Sequence, residues 1–162
     1  MSAGPVFRRA VRADLPDIVR LLADDTLGAQ RERYASPLPV SYDAAFDVID
    51  SDPNNALIVA ELDGRVVGTL QLTFIPGMTY RGSWRALIEA VRVDRSVRSA
   101  GIGRKLVSWA VEQSARRGCR LVQLTSNKTR ADAIRFYESL GFVASHEGLK
   151  LFLETADHGP VE

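Results

Sequence analysis

Cysteine is almost missing from this chain, which has one, Cys119, in 162 residues. That excludes an internal disulfide and a cysteine-rich zinc site. Histidine is nearly as scarce, with only His146 and His158, so no histidine-based metal centre is expected. No apolar run approaches the about 20 residues that cross a bilayer. The first residues lack the basic-then-apolar order of a secretory signal. A charge of one sign is also lacking, because 21 basic and 20 acidic groups leave a formal net charge of +1. A general nucleic-acid binder displaces counterions with a basic surface, so nucleic acid is not an expected partner. Repeats, low-complexity tracts and interdomain linkers are missing as well. What is present is 46% hydrophobic residues, enough to pack one ordinary core. These features predict a soluble cytoplasmic protein with no membrane partner. They predict a single domain over residues 1–155 and a frayed tail over 156–162.

The periodicity predicts a strand over Val6 to Val11. A helix to about Asp24 follows, with Asp14 at the N-cap and Pro16 in the first turn. Residues 25–42 carry Gly28, Pro37 and Pro39 without a clear period, which reads as a loop or broken helix. A short helix follows from Ala44 to Ile49. Ala56 to Leu62 and Arg65 to Phe74 read as strands joined at Asp63-Gly64, a hairpin signal because such turns need positive φ. Ala86 to Val93 is a fourth strand. Arg104 to Arg117 is a helix stopped by Gly118. Leu121 to Thr125 is a fifth strand, and Ala131 to Leu140 a helix stopped by Gly141. Two short strands, near Phe142–Ser145 and Leu149–Leu153, close the order. A hairpin feeding an α/β crossover implies a mixed sheet with helices on its faces.

The stretch from Val91 to Arg104 carries the most chemistry. A strand runs into a turn with Arg98 and two glycines, Gly101 and Gly103, and a helix begins at once. A helix N-terminus has unpaired N–H groups and partial positive charge, and glycines admit a close ligand. This arrangement suits a phosphate or pyrophosphate. A Walker A loop is not present in Gly103-Arg104-Lys105-Leu106. The dinucleotide fingerprint is incomplete, since position 106 is Leu. Glycines used only for tight packing at a helix start are the plainer alternative.

Arg98-x-x-Gly101-x-Gly103 resembles the acetyl-CoA pyrophosphate loop of the GNAT superfamily of N-acetyltransferases, whose motif is Gln/Arg-x-x-Gly-x-Gly/Ala. Ala133-Ile134-Arg135-Phe136-Tyr137-Glu138-Ser139-Leu140-Gly141-Phe142 resembles that family's second signature, A-x-x-F/L-Y-x-x-x-G-F. The resemblance spans about Val6 to Leu153. It implies an α/β (α+β) GNAT fold: a mixed, mostly antiparallel seven-stranded sheet with about four helices, splayed between strands 4 and 5. It implies acetyl-CoA as co-substrate, with its pantetheine arm in the splay. Val91, Arg92 and Val93 would then offer backbone groups to the acetyl carbonyl and pantetheine. Arg98, Ser99, Ala100, Gly101, Ile102 and Gly103 would wrap the pyrophosphate. A backbone N–H of Val91 or Val93 would receive the oxyanion.

The implied reaction moves an acetyl group to a primary amine of a small molecule, by direct attack through a tetrahedral intermediate. Tyr137 is the candidate acid for the departing thiolate, with a packed aromatic as the alternative. Glu89 is the candidate base. It interrupts an otherwise core-like strand, where an ionised group is costly without work or a partner. By period two it shares a face with Leu87, Val91 and Val93. The alternative for Glu89 is an ion pair with an arginine such as Arg92. The family often carries Asn seven residues before the tyrosine, where this chain has Arg130. Asn127 lies three residues earlier, so cofactor contact falls to either one, and Phe136 belongs to the same cofactor-binding set. Ser126-Asn127-Lys128-x-Arg130 with Arg135-Phe136-Tyr137 is similar to the aminoalkylphosphonate N-acetyltransferase branch. Arg81 and Arg85 offer a grip for an anionic acceptor tail, or are solvated loop charges. Two other activities compete: an acyl-CoA-binding sensor without turnover, and a protein N-acetyltransferase. A homodimer is left open, and Cys119 reads as a spectator thiol.

Overall fold

The computed structural model describes residues 4–153. Contacts divide the chain into two compact units, Met1–Leu124 and Thr125–Glu162. The first carries a five-stranded sheet in the order β1-β2-β3-β4-β5. Its strands are β1 (Val6–Arg9), β2 (Asn55–Leu62), β3 (Arg65–Pro76), β4 (Trp84–Val93) and β5 (Cys119–Gln123). The first three pairings are antiparallel. β4 and β5 run parallel, as strands joined by a helical crossover do. The hairpin turn sits at the expected Asp63-Gly64, both at positive φ.

Helices cover both faces. α1 (Leu15–Leu22) buries Leu15, Ile18, Val19 and Leu21 along one side. α3 (Val40–Ser51) adds Phe46, and the cluster they form with Ala10 includes Val59 of β2. α5 (Ile102–Arg116) buries Ile102, Leu106, Val107, Ala110 and Ser114. A Cβ on Gly68 would stand 3.6 Å from the Leu106 side chain and 3.3 Å from the Ala60 Cβ. Val59 and Ala60 are consecutive in a strand and point to opposite faces. Hence α1 and α3 cover the Val59 face and α5 covers the Ala60 face. The Ser114 hydroxyl, fully buried, is satisfied by donating 2.7 Å to the Ala110 carbonyl.

The expected loop over 25–42 contains a short helix, α2 (Thr26–Arg31), capped by the Asp25 carboxylate, which accepts from Gly28 N–H at 2.5 Å. Only glycine fits at 28, since a Cβ would lie 1.9 Å from the Leu22 carbonyl oxygen. Before β4 a single turn, α4 (Thr79–Gly82), holds Tyr80 and Arg81 at φ 51° and 62°. These turns, with the short 3-10 segments Arg12–Asp14 and Arg95–Ala100, exceed the about four helices expected.

The second unit carries α6 (Ala131–Glu138). No strand occurs over 142–153, so the two closing strands expected there are not formed and the sheet of the described residues has five strands rather than seven. Alternation alone does not make a strand. A strand's N–H and C=O groups need a ladder partner, and this unit contains no other strand among its described residues. The apolar side chains of that segment are accordingly open, with Leu149 95% and Leu151 87% exposed. The expected tail over 156–162 lies outside the described residues.

Candidate active site

β4 decides where the site residues point. Its pairing with β3 runs regularly from Pro76↔Trp84 to Gln71↔Glu89, then resumes at Thr69↔Arg92. One residue of β3 therefore faces two of β4, a β-bulge, and Ala90 takes φ 54° within it. Directly opposed residues share a face. Thr69 and Gln71 are two apart on β3 and share a face, so Glu89 and Arg92 share it too. It is the Val59 face, since Val59 pairs with Thr69. The expectation that Glu89 lies with Val91 and Val93 is thus corrected: the extra residue shifts the alternation and gives Glu89 the company of Arg92.

The pairing of β4 with β5 spans Trp84↔Cys119 to Leu87↔Gln123 and ends there. β4 continues for Ile88–Val93 with no β5 residue beside it. An unpaired strand edge offers N–H and C=O groups to a ligand. Glu89 is exposed, and its side chain has no hydrogen bond or ion pair among the described residues. The alternative ion pair with Arg92 is not formed. Arg92 turns instead to Asp25, its Nε 3.3 Å from a carboxylate oxygen. Val91, Arg92 and Val93 are all half-buried.

Asp94 starts the turn. Its N–H donates to the Val67 carbonyl at 2.8 Å. One carboxylate oxygen accepts from Ser96 N–H at 2.9 Å and Ser96 Oγ at 2.7 Å, and the other from Arg20 at 2.8 Å. The two Ser96 bonds, then Arg20, hold this carboxyl down to about 2. A 3-10 segment, Arg95–Ala100, leads to Gly101 at φ 71°, and α5 begins at Ile102 with Lys105 N–H bonding Gly101 O at 3.2 Å. The preceding N–H groups of that first turn have no partner inside the helix. Nothing lies within 4 Å of a Cβ on Gly101, so the turn opens to space. Ile102 is buried at 2% exposure and anchors it. Arg98, Ser99 and Ala100 are exposed and Gly103 is half-buried. Arg98 Nε donates to the Val93 carbonyl at 3.2 Å, and its guanidinium lies 3.7 Å from Asp24. Arg95 Nε is 3.1 Å from the same Asp24 carboxylate.

In the second unit, the Asn127 side-chain oxygen accepts from Thr129 N–H at 2.9 Å and Thr129 Oγ1 at 2.8 Å. Asn127 thereby shapes the turn before α6, and the exposed Arg130 stands at the helix N-cap position without a side-chain cap bond. Phe136 and Tyr137 are half-buried, edge-to-face at 5.2 Å, and Tyr137 meets Phe142 similarly at 5.9 Å. The motif's aromatic residues are thus packed together.

Arg81 borders a shallow cleft with Tyr80 and Arg120, beside the start of β4 and away from the bulge. Burial raises the Cys119 thiol above its usual range, which suits a spectator. Sequence reasoning gives no role to Asp24; it reaches Asp25 only within segment 25–42, and Asp94 and Arg95 only within the stretch from Val91 to Arg104. Asp94-x-Ser96 immediately after the strand is a turn signal that would have found Asp94. No group of three metal-ligating side chains occurs among the described residues. No helix among them is long and apolar enough to cross a membrane.

Residues 16–142 match the model of the acetyltransferase (GNAT) family, and the chain belongs to that family. It is 34% identical over 95 residues to an aminoalkylphosphonate N-acetyltransferase of Salmonella typhimurium, covering 59% of this chain and 61% of the relative. It is 39% identical over 90 residues to a glucosamine 6-phosphate N-acetyltransferase of Trypanosoma brucei brucei, covering 56% and 59%. The chain thus spans about three-fifths of each of these curated relatives. A crystal structure from Bacillus halodurans, described as a transcriptional regulator, is 56% identical with TM-score 0.90, covering 92% of this chain and 99% of that one.

Proposed function

We propose that this protein transfers the acetyl group of acetyl-CoA to a primary amine of a small molecule. The observation that carries the reading is the turn after β4, where a left-handed Gly101 opens the N-terminus of a 15-residue helix to space. Such a terminus suits a diphosphate, and the unpaired length of β4 lies immediately before it in the chain. We take residues 1–155 as one domain, supported by a family match that runs through both compact units.

In this reading, backbone groups of Val91, Arg92 and Val93 align the thioester, and residues Arg98 to Gly103 hold the diphosphate. Asn127, Arg130 and Phe136 complete the cofactor contacts. The amine nitrogen attacks the thioester carbonyl carbon, and a C–N bond forms. A backbone N–H of Val91 or Val93 receives the oxyanion. Glu89 takes the proton released by the amine, and its exposure and lack of a partner support that role. The C–S bond then breaks and Tyr137 protonates the thiolate. The names of the two curated relatives support an acceptor carrying a phosphonate or phosphate beside its amine.

Thiol release from acetyl-CoA over 2-aminoethylphosphonate, polyamines and amino acids tests the reading. Turnover is expected with at least one, and Tyr137→Phe is expected to cut kcat at least tenfold with acetyl-CoA affinity retained. A second reading, an acyl-CoA sensor without turnover, is favoured by the description of the Bacillus halodurans protein. Tight calorimetric binding of acetyl-CoA with no turnover over that panel would establish it instead.

A further inference from the structure

The side chain of Arg92 has a task that its backbone does not explain. The bulge puts it on the same face as Glu89, two register positions away on the β3 side, or about 7 Å along the strand. There it meets Asp25 at 3.3 Å, with only 13% of the arginine side chain exposed. Asp25 is also the cap of α2. The start of α2 lies directly against the end of α1, since a Cβ on Gly28 would stand 1.9 Å from the Leu22 carbonyl oxygen. The far end of the segment is tied as well: Tyr42 donates its hydroxyl to Glu32 at 2.7 Å and accepts from Arg33 N–H at 3.0 Å. Segment 25–42 is therefore framed at both ends, and the Arg92 end stands beside Glu89.

We infer that Arg92 is a positioning residue which, through Asp25, sets the segment from Asp25 to Tyr42 as the acceptor-side wall next to Glu89. This rests on the acetyl-transfer reading for the role of Glu89, and on geometry alone for the strut. One carboxylate does two jobs: the oxygen facing Gly28 shapes the helix, and the oxygen facing Arg92 fixes that helix to β4. The half-buried pair is short of solvent, so loss of one partner leaves the other poorly satisfied. Arg95 and Arg98 on the neighbouring Asp24 join the same corner to the diphosphate turn.

The test compares the full-length wild type with Arg92→Met, Arg92→Lys and Asp25→Asn. Hydrogen exchange of the amides in 26–32 is expected to quicken at least tenfold in Arg92→Met, with α5 unchanged. Arg92→Lys should recover part of the protection. Asp25→Asn keeps an oxygen for the cap and loses the charge, so it should resemble Arg92→Met even if that variant folds poorly. With 2-aminoethylphosphonate as the probe amine, Asp25→Asn should raise KM at least tenfold while its kcat and acetyl-CoA Kd stay within threefold. Unchanged exchange in both Arg92→Met and Asp25→Asn overturns the strut. An unchanged amine KM with weakened acetyl-CoA binding also overturns it, by making the side chain a cofactor group. If the wild type does not acetylate the probe, that acceptor assignment fails and exchange alone decides the strut.

Discussion

Replacement of Gly101 separates the conformational demand of the turn from its packing. A Cβ there meets nothing within 4 Å, and φ is +71°, so Gly101→Ala brings no clash. Its whole cost is that of holding an L-residue in the left-handed region, about 1–2 kcal/mol. If the free protein keeps the turn as it is, the cost appears in stability, and Tm falls by roughly 2–8 °C for a chain of this size. If the turn relaxes until a ligand re-forms it, the cost moves to binding, and acetyl-CoA Kd rises by up to about thirtyfold. The two losses should sum to the same about 1–2 kcal/mol. Gly101→Asn should lose less than Ala, because Asn enters this region more readily, and Gly101→Val should lose more. Calorimetric titration with acetyl-CoA and a thermal melt on each variant give both numbers. An alanine variant with wild-type Tm and wild-type Kd would refute the reasoning, since neither state would then need the left-handed turn.

Asp94 predicts an acid dependence. Its carboxyl is held at about 2 against an ordinary 3.8, so its contribution is present above the ordinary value and is lost as pH falls towards 2. Asp94→Asn should be less stable at pH 7 by on the order of 2 kcal/mol in urea unfolding, with the gap closing on acidification. A gap that persists at low pH would show that the ionised form is not what matters. In α5, Leu106 is fully buried, and Leu106→Ala should cost about 2–5 kcal/mol by the same assay; a smaller loss would mean that the sheet and helix close over the gap.

Much of this protein follows from short-range pattern. The hairpin at Asp63-Gly64 is legible because positive φ there has a residue signature. The buried stripe of α1 and that of α5 are legible because 3.6-residue spacing forces those side chains to one side. The turn at Gly101 is legible because glycines and a helix start are local features. The two signatures around Gly101 and Tyr137 named the family, since both are carried by contiguous residues. What the sequence could not decide is whatever depends on a neighbour. Phe142–Ser145 and Leu149–Leu153 read as two short strands, yet form none without a ladder partner. The bulge at Ala90 has no residue signature, since alanine does not ordinarily take positive φ; it is set by the register between β3 and β4. That one extra residue moves Arg92 onto the face of Glu89 and joins it to Asp25, 67 positions earlier in the chain. Composition and periodicity act within a turn or a strand, whereas the company a charged side chain keeps is settled only when distant segments pack.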